Sequence, residues 1–139
     1  MRLNVAPDNE KAKALVTIAK ITLERLHESN VKKYPSNALI DYYDSIHKFL
    51  DAITCIEGIK IRGDGAHQQL IEYVCTEHLS DKEKIFLQDM REYRNRIYYE
   101  GFIIDFEYIT SNSAYIEKII KILTTTIERK IKGQNEKID

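Results

Sequence analysis

Apolar side chains return at steps of three and four residues along almost the whole chain, and that period limits what it can become. From about Asp8 to Ser29 the stripe is Ala12, Leu15, Val16, Ala19, Leu23 and Leu26, with Asp8 placed to cap its start. After Tyr34-Pro35-Ser36, where Ser36 can cap, Leu39, Tyr43, Ile46, Leu50, Ile53 and Ile56 continue to Gly58. A shorter stripe carries His67, Leu70, Ile71, Val74 and Cys75. Ser80-Asp81-Lys82-Glu83 then reads as a capping box for a fourth helix with Phe86, Met90, Tyr93 and Ile97, running to about Gly101.

A last helix is expected from near Ser113, on Tyr115, Ile116, Ile119, Ile120, Leu123, Ile127 and Ile131. Between them, Gly58 to His67 holds three of the 5 glycines and reads as a loop. Phe102 to Ile109 is apolar without a clear period and reads as an extended crossing segment. Isoleucine favours strands, but five segments keeping a helical spacing outrank that propensity. The expected fold is all-α, an up-down bundle of about five helices joined by short connections.

The 139 residues suit one domain, 1–139, with a polar, frayed tail from about 133 to 139. A content of 43% hydrophobic and 31% charged residues excludes a disordered or fibrous chain. With Lys+Arg 21 against Asp+Glu 22, no global field attracts nucleic acid or anionic membrane, so polyanion contacts must come from local basic patches. Cys55 and Cys75 fall in apolar stripes and read as reduced, buried thiols. The first residues lack the apolar run of a signal peptide, and no window has the length of apolar sequence a membrane span needs. A cytoplasmic protein without membrane contact is expected.

Few chemistries are supported. The histidines 27, 47, 67 and 78 form no His-x-x-x-His pair, and Cys-x-x-Cys is absent. A di-iron bundle needs Glu-x-x-His on two helices, a pair this chain does not carry. No metal site and no cofactor are expected. The glycines at 58, 63 and 65 match neither a P-loop nor a dinucleotide fingerprint, although Lys60 and Arg62 make that loop locally basic and able to touch phosphate. No nucleophile elbow is present.

One stretch is unusual: Arg91-Glu92-Tyr93-Arg94-Asn95-Arg96-Ile97-Tyr98-Tyr99-Glu100-Gly101 crowds arginines and tyrosines into the end of a helix. Arginines there suit the helix dipole. Yet Arg94 lies only about 40° from Met90 and about 60° from Ile97 around the axis, at ~100° per residue. It borders the buried face, where a guanidinium requires a carboxylate, a phosphate or a partner subunit.

This layout resembles the HEPN superfamily (higher eukaryotes and prokaryotes nucleotide-binding), small helical bundles whose signature is Arg, a polar residue and, after several positions, His near the end of a late helix. Arg94-Asn95 matches the start of that signature, and Tyr99 occupies the place of the histidine. A second helix with Tyr42-Tyr43 and a glycine-bearing loop before His67 extend the likeness over most of the chain. The resemblance implies metal-independent RNA cleavage by a homodimer whose two motifs line one cleft, often in toxin–antitoxin or defence systems beside a nucleotidyltransferase antitoxin.

Carried over by position, Arg94 holds phosphate charge and Asn95 orients the substrate, with Tyr99 as the third catalytic position. Arg91, Arg96, Tyr98, Lys60 and Arg62 are candidate RNA contacts. A phenol with an ordinary pKa of about 10 is a poor general base at neutral pH, so cleavage is expected to be slow or lost. On an ideal helix Arg94 and Tyr99 stand about 140° apart, so they share a cleft only across two subunits or where the helix end unwinds. The expectation is an RNA- or nucleotide-binding dimer, an inactive or slow endoribonuclease. The alternative is a non-catalytic helical adaptor that binds a protein partner.

Overall fold

The computed structural model describes residues 1–138. In chain order these form β1 (Arg2–Asn4), α1 (Asn9–Glu28), α2 (Pro35–Glu57), β2 (Ile59–Ile61), α3 (Ala66–His78), α4 (Asp81–Glu100) and α5 (Phe106–Ile138). The fold is an all-helical bundle with one two-stranded ribbon. Among the described residues no helix is long and apolar enough to cross a membrane.

α2 is the centre of the bundle. It packs against α1, α3, α4 and α5, and Leu39, Tyr43, Ile46, Phe49, Leu50, Ile53 and Ile56 are fully buried along it. A helix apolar on so much of its circumference has to be surrounded by its neighbours. α1 covers it with Ala12, Ala19, Leu23 and Leu26, and the Asp8 carboxylate caps that helix by accepting from Lys11 N at 3.0 Å. α3 contributes Leu70, Ile71, Val74 and Cys75; α4 contributes Leu87 and Met90. Both cysteines are free thiols, Cys75 buried and Cys55 half-buried.

Five expectations change. The segment from Gly58 to His67 is not loop throughout, because β2 pairs antiparallel with β1, Leu3 opposite Lys60. Gly58 closes α2 in the left-handed region (φ 73°), and its carbonyl accepts from Val5 N at 2.8 Å, which brings the chain's start onto the end of α2. Ser36 does not cap α2, which begins at Pro35. Its hydroxyl instead accepts the Ile104 N–H at 2.9 Å and pins the α4–α5 connection to the start of α2.

α5 begins at Phe106 rather than near Ser113, so only Phe102 to Asp105 crosses without helix; the Asp105 carboxylate accepts from Tyr108 N at 3.1 Å and supplies the cap. α5 also continues through the tail expected to fray, reaching Ile138, with Gln134 donating to the Ile56 carbonyl at 2.7 Å. Asp139 lies outside the described residues. At the start of α4, the Ser80 hydroxyl donates to the Glu83 carboxylate at 2.8 Å, so this half of the box is a side-chain pair rather than a cap on a backbone N–H.

Candidate functional site

On α4, Arg91, Arg94 and Tyr98 follow one another at helical steps and lie on one face. On α2, Tyr43, His47 and Asp51 stand at four-residue steps, with Asp44 beside them. The first turn of α3 adds His67. Three helices meet here and bring two of the four histidines beside Arg91 and Arg94.

Arg94 is the centre. Its guanidinium carbon lies 4.5 Å from the Tyr98 ring centroid and 5.9 Å from that of Tyr43, so the planar cation is flanked by two π faces. Its Nε is 3.5 Å from Asp44 Oδ1, close enough for attraction between charges. That N–H is nonetheless buried and has no hydrogen-bond partner among the described residues. One terminal nitrogen donates to Asn95 Oδ1 over a long 3.4 Å. Arg91 donates to Gln88 Oε1 at 2.9 Å, and its charge also reaches Tyr43 and His67.

Beside Arg94 the rings of His47 and His67 lie against each other, 4.0 Å between centroids with 33° between planes. The Tyr43 hydroxyl is 3.3 Å from His67 Nδ1, and His47 Nδ1 is 3.4 Å from Asp51 Oδ2. Burial pushes the His47 pKa down to about 4, helped by the charges of His67, Lys48 and Arg94. His67 falls in the same direction, through desolvation of the ring face laid on its neighbour and then through Arg94 and Arg91. Burial raises Tyr43 to about 12.

At neutral pH both imidazoles are therefore uncharged and Tyr43 keeps its proton. The Tyr43 hydroxyl and Nδ1 of His67 form a hydrogen-bonded pair whose donor is set by the ring tautomer. The cluster then offers the guanidinium N–H groups of Arg91 and Arg94 beside two neutral imidazoles. Such a donor set suits an anion with several acceptor oxygens.

The residues expected from sequence divide clearly. Arg94, Asn95 and Tyr98 are together, and Arg91 lies on the same face. Tyr99 is 80% exposed and is not brought to Arg94; among the described residues its ring neighbours only that of Tyr98, 6.4 Å away. Arg96 is engaged elsewhere, donating to Glu100 at 3.2 Å and standing 3.9 Å over the Phe102 ring. Lys60 sits in β2 and Arg62 just beyond it, exposed, with no contact linking either to Arg94 among the described residues.

Sequence reasoning missed His47, Asp44 and the part Tyr43 and His67 play. The available signal was the four-residue step from Tyr43 to His47, which repeats the step that marks the buried stripe of α2. Among the described residues no group of three or more His, Cys, Asp or Glu side chains could hold a metal ion.

No protein-family model, curated protein or solved structure matches this chain.

Proposed function

We propose that the chain is a HEPN-like RNA- or nucleotide-binding protein that takes phosphate on Arg94 and works as a homodimer. The observation that carries this reading is the state of the Arg94 side chain. Its plane is held between Tyr43 and Tyr98, and its buried Nε–H lacks an acceptor. A buried donor left unmade costs ~1–3 kcal/mol, which an entering phosphate oxygen would recover. Asp44 offsets one positive charge, leaving Arg91 and Arg94 with a cationic excess toward the ligand.

Binding is favoured over cleavage. Tyr99, the residue in the histidine position of the resemblance, is 80% exposed and has no contact with Arg94 within one protomer among the described residues. His67 Nδ1 is already engaged by the Tyr43 hydroxyl at 3.3 Å, which leaves one ring nitrogen for a ligand. Tyr98, Tyr99, Ile103 and Phe106, each exposed about the α4–α5 corner of the chain, supply the surface for a second copy, since aromatic side chains are enriched at interface cores. The same corner is what supports the adaptor reading.

Fluorescence anisotropy with a labelled single-stranded RNA tests the reading. Arg94→Ala should weaken binding by about tenfold or more, in line with ~1–3 kcal/mol for a charge-assisted pair. Arg94→Lys should fail to restore it, because an ammonium lacks the planar fork and the stacking. If unaltered protein binds no RNA, and Arg94→Ala only lowers the melting temperature, the adaptor reading replaces this one.

A further inference from the structure

A second cationic feature lies away from Arg94, where α5 passes the C-terminal end of α3. Lys118, Lys121, Thr125 and Arg129 follow steps of three, four and four residues. On an ideal helix they fall within a stripe about 80° wide. All four are exposed. None of the three cations makes an ion pair or donates a side-chain hydrogen bond among the described residues, whereas Lys130 on the same helix is 2.7 Å from Glu57.

The stripe forms one wall of an open groove of about 510 Å³, with Ile122 on its floor and Glu77 and His78 on the opposite wall. His78, 2.8 Å from Glu57, brings no negative charge to the α5 cations, and among the described residues Glu77 is the one carboxylate lining the groove.

A row of cations extending ~16 Å, at ~1.5 Å per residue, differs from a pocket built for a single small anion. It parallels about five phosphates of a stacked strand, at ~3.4 Å per phosphate. Lysine and arginine side chains on a smooth groove attract a polyanionic backbone without selecting bases, and the Thr125 hydroxyl adds a donor between them. With a net charge of −1 the protein has no other means of drawing in a long polyanion than such local rows.

We infer that the α5 row Lys118–Lys121–Thr125–Arg129 is a nucleic-acid backbone track, a second contact for a single strand distinct from the Arg94 site. The identity of the ligand rests on the RNA-binding reading above; the charge row and the groove do not. Arg94 and this groove lie toward opposite ends of α4. Glu83, near its start, bonds Tyr115 of α5 at 2.6 Å, and Arg94 is eleven residues further on, about 16 Å along the axis. A strand engaging both must therefore be longer than either contact alone requires.

The test uses the full chain, a labelled twelve-nucleotide RNA and anisotropy across a salt series, with circular dichroism to verify that each variant is folded. The triple variant K118Q/K121Q/R129Q should bind at least tenfold more weakly. Its log–log salt slope should be shallower by ~2, since each phosphate contact on a single strand contributes about 0.7. An affinity and slope equal to those of the unaltered protein would overturn the track. Arg94→Ala is measured on the same RNA, and an unchanged affinity there would overturn the Arg94 reading while leaving the triple-variant result to stand. Inorganic tripolyphosphate serves as competitor. Displacement of RNA from the Arg94→Ala variant, in which the groove is the remaining site, at lower concentration than unlabelled twelve-nucleotide RNA requires would assign the groove to compact polyphosphates and overturn the nucleic-acid assignment.

Discussion

His47 offers the sharpest test of how the Arg94 site is built. Its ring is held on His67 with Asp51 on its own helix 3.4 Å away, and burial, helped by the charges of His67, Lys48 and Arg94, lowers its pKa from 6.5 to about 4. A histidine whose folded pKa is depressed binds protons more readily in the unfolded chain. The stability linked to it is complete above the unfolded value and is lost as pH falls from about 6.5 toward 4. Integrated over that window the loss is about 2 kcal/mol at pH 5 and about 3 kcal/mol at pH 4.

In a domain of this size about 3 kcal/mol corresponds to a fall in melting temperature on the order of 10 °C. The contribution is isolated by comparing the unaltered protein with His47→Gln, by urea denaturation at pH 7, 5 and 4. Glu57, whose pKa is lowered and which pairs with His78 and Lys130 rather than with His47, titrates in both proteins and cancels in the difference. The variant should lose about 3 kcal/mol less than the unaltered protein between pH 7 and 4. Parallel losses in the two proteins would show that His47 is free to charge, and would refute the account of a neutral stacked pair beneath Arg94.

Other outcomes follow from named contacts. Gly58→Ala should destabilise by at least ~2 kcal/mol, because the residue is left-handed and a Cβ there would stand 2.6 Å from the Val5 carbonyl oxygen; a neutral result in urea would refute the packing of the N-terminal strand on α2. Ser36→Ala removes the acceptor of the Ile104 N–H and should cost ~1–3 kcal/mol by the same assay, with wild-type stability counting against the tether. Light scattering should report twice 16.3 kDa for the unaltered protein and a monomer for the double variant Tyr99→Ser/Ile103→Ser, both sites being 80% exposed; a monomeric unaltered protein would remove the dimer.

By itself the sequence determined the helices, their buried stripes and several of their ends. The period that places Leu23 and Leu26, or Leu70 and Val74, under one face is a property of a few consecutive residues. Caps such as Asp8 at the start of α1 and the left-handed Gly58 and Gly101 that close α2 and α4 are equally local. So is the border position of Arg94, a short arc from buried Met90, and the wide angle that separates it from Tyr99.

Only the tertiary structure decided what faces Arg94. Asp44 and Tyr43 reach it because α2 crosses α4, and His67 meets His47 because a glycine-bearing turn delivers α3 against α2. The ribbon of β1 and β2 was hidden for the same reason, its two strands lying far apart in sequence and each too short to show a period. Periodicity and capping are local and can be read along the chain, whereas the partners of a side chain across a helix crossing depend on how the helices are packed together.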